Sequence, residues 1–426
     1  LRLVFFHEIS LVGFAANLLA IPLVTLLVTP LALLGALWAP LWSAAAALVQ
    51  GLNAALQALA STPLAVVSVA AAAPWAVALG LAGAALALLP LPGGVRLLAA
   101  ALLLPLLVPP SSRPPDGSYE LLAVDVGQGS AVLLRTATHT LLFDTGPRWS
   151  AETDAGERVL LPLLRAQGER RLDLLMLSHR DDDHVGGAAA LLEALPVAAL
   201  SSSLEPGHPL LAQARARGAA VSRCEAGQRW VWDGVDFELR HPSAALLDRA
   251  AEVAIKPNAL SCVLQVRGRR QTALLAGDIE RAAEATLVAA HGAALRSEVL
   301  LLPHHGSRTS STAAFLDAVM PRVAVVQAGY RNRFGHPAPE VLARLAERGI
   351  AVVESPRCGA WRHGPQGESC WRDARRRYWQ LRDATDQPEP SSISIVQPAC
   401  SAWARSRGSG RTATGVPTAC SSGRSP

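Results

Sequence analysis

The chain has 426 residues and a formal net charge of +5, enough length for two or three domains. The positive charge does not by itself select nucleic acid: Lys256 is the only lysine, and the arginines sit in a composition biased toward Ala, Leu, Gly and Pro. Its six cysteines, Cys224, Cys262, Cys358, Cys370, Cys400 and Cys420, form no C-x-x-C pair, which argues against a zinc ribbon or thioredoxin-like motif and leaves disulfides open.

From Ile9 to Val95 there is not one Asp, Glu, Lys or Arg. A soluble helical core needs a charged outer face, so this stretch reads as a membrane segment. Residues 12–38 are the first candidate span, and its Pro22 and Pro30 are tolerable where neighbours satisfy the freed carbonyls. Residues 41–60 are Ala-rich, with Gln50, Asn53 and Gln57 on one face, as in an interfacial helix or one packed in a bundle. Residues 64–90 are long enough to span. Residues 94–110 are marginal, with about 15 apolar positions where roughly 20 are preferred.

Pro109 to Gly117 (PPSSRPPDG) is a linker by composition, which divides a membrane part at 1–110 from a second domain at 118–383, with 111–117 between them. The alternation predicts strands at 119–124, 131–135, 140–143, 173–177, 229–240, 260–266, 271–276, 297–302, 322–327 and 350–353. Helices are predicted over 156–167, 187–194, 280–290, 312–319 and 338–348. Hairpins mixed with strand–helix units imply two mixed sheets with helices outside. Residues 384–426, rich in Ser, Arg, Gly and Pro, read as a disordered tail.

The densest chemical signal is Ser178-His179-Arg180-Asp181-Asp182-Asp183-His184-Val185-Gly186-Gly187, at the end of an apolar strand. Capping aspartates with incidental histidines are the blander explanation. Three carboxylates between two histidines point instead to a metal site, with ligands for two ions on one tight loop. Asp125 in Asp125-Val126-Gly127-Gln128-Gly129 and Asp144 in Phe143-Asp144-Thr145-Gly146 also sit at strand ends, where either could be a plain turn former. Asp278, in Gly277-Asp278, ends a further apolar strand, and His304-His305-Gly306-Ser307 ends another.

The run at 178–187 resembles the H-x-H-x-D-H motif of the metallo-β-lactamase superfamily. His179, Asp183 and His184 match three of its positions, and Asp181 stands where the second histidine is usual. An oxygen in place of a nitrogen makes that site harder and tilts preference from zinc toward manganese or magnesium. The resemblance implies an αββα sandwich and two divalent ions, Mn²⁺ favoured, with Zn²⁺ or Mg²⁺ as alternatives. It makes His179, Asp181, Asp183, His184, Asp278 and His305 the metal ligands, with Asp278 bridging. Asp183, His304 and His305 are the catalytic candidates. One of the two adjacent histidines completes the site or stabilises transition-state charge, and the spacing does not say which. Asp125, Asp144, Ser307 and His336 are supporting or substrate-contacting candidates; a turn before the Pro337 helix is the plainer role for His336. No middle histidine ligand is obvious: His208 and His241 qualify by order alone, and His241, before Pro242, looks structural.

More of the chain is similar to the ComEC-type DNA-uptake family. Phe6 to Leu11 and Ala16 to Val24 resemble the end of its membrane competence domain. Asp125 to Gly129, Ser178 to Gly187, Asn258 to Leu264, Gly277-Asp278, His304 to Ser307, and Gly329-Tyr330 with Asn332 to Pro337 follow in the family's order. The resemblance covers about residues 1–360 and makes the chain a C-terminal piece of a multi-pass protein of the bacterial inner membrane, with the hydrolase domain facing outward. It implies a metal-dependent nuclease that degrades the non-transported strand during transformation. The implied partners are single- or double-stranded DNA, membrane lipid, other proteins of the uptake machinery and a second copy of the chain. The same ligands would also serve a hydrolase of another substrate, such as a lactam, thioester or small phosphodiester, or persist in a non-catalytic channel part. The fused membrane segment speaks against a free small-molecule enzyme, and the full set of carboxylates against a vestigial site.

Overall fold

The computed structural model describes residues 8–10, 12–62, 65–109 and 113–374. The expectation of a disordered tail at 384–426, and the segment Phe6-His7, lie outside these residues.

The charge-free stretch is helical for most of its length. Val12–Leu34 is one continuous helix of 23 residues, despite Pro22 and Pro30, with a π-helical turn at Val24–Val28 between them. The wider turn relieves the clash that a proline ring makes with the preceding helical turn. Pro40–Ala60 is the second long apolar helix. Both have the length and composition to cross a membrane, and Phe14, Leu18, Leu26 and Trp42 on them lie exposed, as lipid-facing side chains would. The expected span over 64–90 is shorter than its composition suggests. Pro74 starts the helix, which runs Pro74–Leu88, and Val67–Ser68 before it is extended and pairs with Glu8–Ile9. Fifteen helical residues cover only about 22 Å, short of an apolar core about 30 Å thick. Gly93–Leu107 is equally short and packs back on it, with Gly83 against Ala99 and Leu102 at a distance that leaves no room for a side chain.

From residue 113 onward the chain builds two mixed sheets. With β1 (Glu8–Ile9) and β2 (Val67–Ser68) already placed, the strands of the first sheet begin with β3 (Glu120–Ala123), β4 (Val132–Arg135), β5 (Thr140–Phe143), β6 (Leu172–Leu177), β7 (Val197–Ser202) and β8 (Ala220–Arg223). The second sheet takes β9 (Arg229–Trp232), β10 (Val235–His241), β11 (Val263–Arg267), β12 (Thr272–Leu275), β13 (Val299–Leu301), β14 (Val323–Val326) and β15 (Ala351–Glu354). The chain then returns to the first with β16 (Trp361–Gly364) and β17 (Gly367–Cys370). The orders are β17-β16-β3-β4-β5-β6-β7-β8 and β15-β14-β13-β12-β11-β10-β9. Tyr119, Leu121, Val132, Phe143 and Met176 of the first sheet meet Phe237, Leu264, Leu275, Val299 and Val325 of the second in one buried layer. Helices 161–166, 188–194 and 209–216 cover the first sheet, and 281–291, 313–319 and 339–347 cover the second. Apolar side chains on both faces of β5, β12 and β14 fit strands covered on both sides.

The expected single strand at 229–240 is a hairpin, β9–β10, turned at Asp233-Gly234. The Asp-Gly pair supplies the positive φ that such a turn requires (50° and 73°). Strands β7, β8, β16 and β17 and helices 209–216 and 244–252 were not among the expected elements.

Candidate metal centre

The candidate ligands come from both sheets at one end of the sandwich. β5, β6, β12 and β13 all stop there, and each is followed by a candidate residue. After β6, Ser178 and His179 lead out of the strand end through a bend, Asp181 starts a helical turn, and Asp182–Val185 swings Asp183 and His184 back over the strand end. That turn needs small neighbours. Gly187 lies against Gly156 and the Thr145 carbonyl, and Gly129, at φ 138°, lies against the Asp183 carbonyl; a Cβ on either would collide with backbone. Asp278 follows β12 through Gly277, which has a positive φ of 53°. His304 and His305 follow β13 with φ of 51° and 54°. Two successive non-glycine residues in the left-handed region are strained, by ~1–3 kcal/mol each. The strain turns His305 inward and leaves His304 at the rim.

Two overlapping groups of donors result. His179, His184 and Asp278 form one, and Asp183, His184 and His305 the other, with the donor atoms of each within 4.8 Å of one another. Asp278 is the hub. Its carboxylate lies 3.2 Å from His184 Nε2, 3.6 Å from His305 Nε2, 3.8 Å from His304 Nε2 and 4.0 Å from His179 Nε2. Asp183 lies 3.2 Å from His305 Nε2 and 4.0 Å from His184 Nε2. The Nε2 atoms of His179, His184 and His305 are all buried and, apart from these carboxylate contacts, have no hydrogen-bond partner. Three orphaned imidazole nitrogens around two carboxylates are costly to bury without a cation, and they are the donor set that first-row divalent metals take. The residues fit the ions that the fold implies.

The ring orientations are set from behind. Asp144 is fully buried and accepts from His184 Nδ1 at 2.7 Å, from the Ser178 amide at 2.7 Å and from Ser178 Oγ at 2.8 Å. His305 Nδ1 donates to the Gln327 carbonyl at 2.7 Å. With Nδ1 protonated in both rings, each Nε2 lone pair faces the cage. Around His179 Nδ1 stand Ser178 Oγ at 3.0 Å and Ser261 Oγ at 3.3 Å. Gln327 is itself tied to the Val124 and Ala131 carbonyls.

Burial alone would raise Asp278 and Asp183. Against that, the charges of His184 and His305 hold Asp278 well below the usual carboxylate range, and the His184 charge with the His305 hydrogen bond brings Asp183 down to about 2. Burial works in reverse on the histidines. Asp278 and Asp144 nevertheless raise His184 well above its ordinary value, and Asp278 and Asp183 raise His305. The carboxylates thus favour a proton on both histidines, which a divalent cation bound there would displace.

The remaining expected residues fall elsewhere. Asp181 stands at the rim, 3.5 Å from His179 Nε2 and outside both groups. His304 also lies outside them. Glu280 at 3.6 Å, Thr309 at 3.2 Å and Asn258 at 3.4 Å surround its ring, and burial lowers its pKa. His336 lies over the same face, its ring 5.8 Å from His304 and 6.5 Å from His305. Burial, then the charges of His305 and His304, bring it down to about 4. Asp125 caps its own turn through the Gly127 amide and pairs with Arg372, and Ser307 braces Thr309; neither enters the cage. His208 caps the helix Pro209–Ala216, and His241 Nδ1 bonds the Ser261 carbonyl, so neither supplies the middle ligand. Ser178, Ser261, Gln327 and Asn258 had no assigned role in the sequence reading. The first three are ordinary polar residues whose function depends on strands far apart in the chain.

Two mixed sheets with ligands at their strand ends define the metallo-β-lactamase fold, and residues 124–330 match the family model of the Metallo-beta-lactamase superfamily. Residues 1–93 match the model described as Competence protein. The chain therefore belongs to the competence-protein family that joins these two parts. Competence protein ComA of Neisseria gonorrhoeae is 37% identical over 361 residues, which are 84% of this chain and 49% of the relative. Uncharacterized protein YcaI of Escherichia coli is 31% identical over 372 residues, covering 84% of this chain and 46% of its own. Recombination protein 2 of Haemophilus influenzae is 33% identical over 237 residues, covering 55% and 27%. The chain spans about half the length, or less, of these curated relatives.

Proposed function

We propose that this chain hydrolyses DNA phosphodiesters at a membrane, degrading the strand that is not taken up in transformation. One observation carries the reading: a two-group cage of orphaned imidazole and carboxylate donors is fused to a competence-type apolar segment. Residues 1–110 are then the end of the membrane domain, 111–117 the linker and 118–383 the hydrolase. Divalent ions supply Lewis acidity and an activated water when bound. Asp183, His179, His184, Asp278 and His305 would hold them, and Asp181 at the rim would add an oxygen that favours manganese over zinc. His304, kept neutral by burial and fixed by Asn258 and Thr309, donates a hydrogen bond to the scissile phosphate from the open side. His336 lies close enough to contact the same substrate.

The hydrolase faces outward in this reading. Cys224–Cys262 and Cys358–Cys370 are disulfides, and such bonds persist on the oxidising side of a membrane. DNA, lipid, uptake-machinery proteins and a second copy of the chain are the proposed partners. The test uses the full chain in detergent micelles with end-labelled single-stranded DNA and Mn²⁺, Mg²⁺ or Zn²⁺, beside a chromogenic lactam. Cleavage of DNA, strongest with Mn²⁺ and lost in Asp183→Ala, is expected. A folded, metal-loaded chain that cuts no DNA with any metal overturns the proposal, and lactam turnover in its place marks another hydrolase.

A further inference from the structure

We propose that the Cys224–Cys262 disulfide sets the spacing between the two halves of the metal centre, so that the centre is completed only where these cysteines are oxidised. The inference rests on the metal reading of the cage.

The cage is divided between two separately hydrogen-bonded sheets. His179, Asp183 and His184 follow β6 of the first, and Asp278 and His305 follow β12 and β13 of the second. Among the described residues no strand pairing joins the sheets; besides the disulfide, side-chain packing and a few hydrogen bonds, such as Gln327 to the Val124 and Ala131 carbonyls, set the distance across the cage. A small slide of one sheet over the other would separate His184 from Asp278, and Asp183 from His305, each pair now 3.2 Å apart.

The disulfide crosses this division beneath the cage. Cys224 directly follows β8 at the edge of the first sheet, and Cys262 directly precedes β11 of the second; their Cα atoms are 6.1 Å apart. Both cysteines are fully buried. Each is also wired to the ligands. The Cys262 amide donates to the Ser178 carbonyl at 2.9 Å, and Ser178 adjoins His179. Ser261, next to Cys262, accepts from the Asp278 amide at 3.1 Å and lies 3.3 Å from His179. On the other side the Cys224 amide donates to the Ser202 carbonyl at 2.9 Å, and Ser203 Oγ donates to the same Ser178 carbonyl at 2.6 Å. The bond therefore lies within two hydrogen bonds of a ligand from each sheet. Cys358–Cys370 gives an internal control: its residues are 12 apart, it closes the β16–β17 hairpin onto the preceding turn, and neither cysteine is bonded to a cage residue.

Two thiols give up two protons and two electrons to a thiol–disulfide oxidant, whose own disulfide is reduced as the new S–S bond forms. Such oxidants act outside the cytoplasm. Cys224 and Cys262 are thus positioning residues, and the centre matures on the side of the membrane where the proposed substrate arrives.

The test measures Mn²⁺ affinity by calorimetry on the full chain in detergent. The native chain, C224A/C262A and C358A/C370A are compared, and a metal-free melt reports the fold of each. A tenfold or greater loss of affinity is expected for C224A/C262A, with a melt that stays cooperative, while C358A/C370A binds as the native chain does. In a parallel arm the native chain is refolded with or without glutathione disulfide and its pairing mapped by mass spectrometry, which covers the case of a double variant that does not fold. Native affinity in C224A/C262A, equal losses in both pair variants, or full affinity in the refolded reduced chain overturns the proposal. A native chain that binds no Mn²⁺, Zn²⁺ or Mg²⁺ removes the metal reading itself.

Discussion

Replacing Asp144 by Asn tests how the cage is held. The substitution keeps the shape of a fully buried side chain and removes its charge. Asp144 accepts three hydrogen bonds at 2.7, 2.7 and 2.8 Å, from Ser178 N, His184 Nδ1 and Ser178 Oγ. An Asn can still accept from the Ser178 amide through its oxygen. Its NH₂ group then faces His184 Nδ1, and two donors cannot share that contact. The imidazole must carry its proton on Nε2 instead, which points an N–H where a lone pair is needed. Losing such a supporting partner weakens metal binding about 10–100-fold, or ~1.4–2.7 kcal/mol. The assay is Mn²⁺ titration of the full chain, beside Asp125→Asn, whose carboxylate caps a turn outside the cage. Asp144→Asn should lose affinity while Asp125→Asn keeps it. Native affinity in Asp144→Asn, alongside a loss in His184→Ala, would show that Asp144 does not set the His184 tautomer.

Three further outcomes are expected. His336 takes its proton at about 4 in the folded chain and near 6.5 when unfolded, so the unfolded state binds more protons between these values and stability falls as pH drops through them. Metal-free denaturant titrations at pH 7, 5.5 and 4.5 should show a shallower fall in His336→Gln than in the native chain; equal slopes refute this. Removing the Cys358–Cys370 bond, which closes a 12-residue separation, should destabilise the chain by ~3 kcal/mol, read from the denaturation midpoint of the serine pair. Metal at 100 times its dissociation constant should stabilise the native chain by ~2.7 kcal/mol and chelation should reverse this, whereas His184→Ala should show a much smaller shift at the same metal concentration.

The parts of the centre that were legible in advance are those carried by short, chemically dense runs. His179, Asp183 and His184 lie on one turn after one strand, and Asp278 ends an apolar strand, so their place among the candidates could be read from neighbours alone. The choice between His304 and His305 could not. It depends on two left-handed backbone conformations and on the Gln327 carbonyl, 22 residues further along the chain. Spacing alone gave Asp181 no position relative to the others; the helical turn that begins after it places its carboxylate at the rim, 3.5 Å from His179 Nε2. The misread span at 64–90 has a local cause: composition records the apolar run, but Pro74 decides where the helix begins. The Cys224–Cys262 pairing is set by proximity between sheets, which no spacing rule conveys.

The division of the cage also explains why its supporting residues are so scattered. A site on one strand end could be oriented by its own turn. Here Asp144 and Ser178 hold the half from the first sheet, and Gln327 and Ser261 the half from the second. In each half one ring is held by a buried hydrogen bond at 2.7 Å, His184 by Asp144 and His305 by the Gln327 carbonyl. The distance between the halves is set across the sheets, and Asp278 is the residue most exposed to it, since it faces histidines of both sheets at 3.2–4.0 Å. Asp278→Glu therefore separates the two kinds of constraint. It keeps the charge but adds a methylene across the gap, so if spacing governs the site it should weaken Mn²⁺ binding nearly as much as Asp278→Asn. If Asp278→Glu instead binds nearly as the native chain does, the two sheets adjust to the longer side chain and the spacing is not fixed.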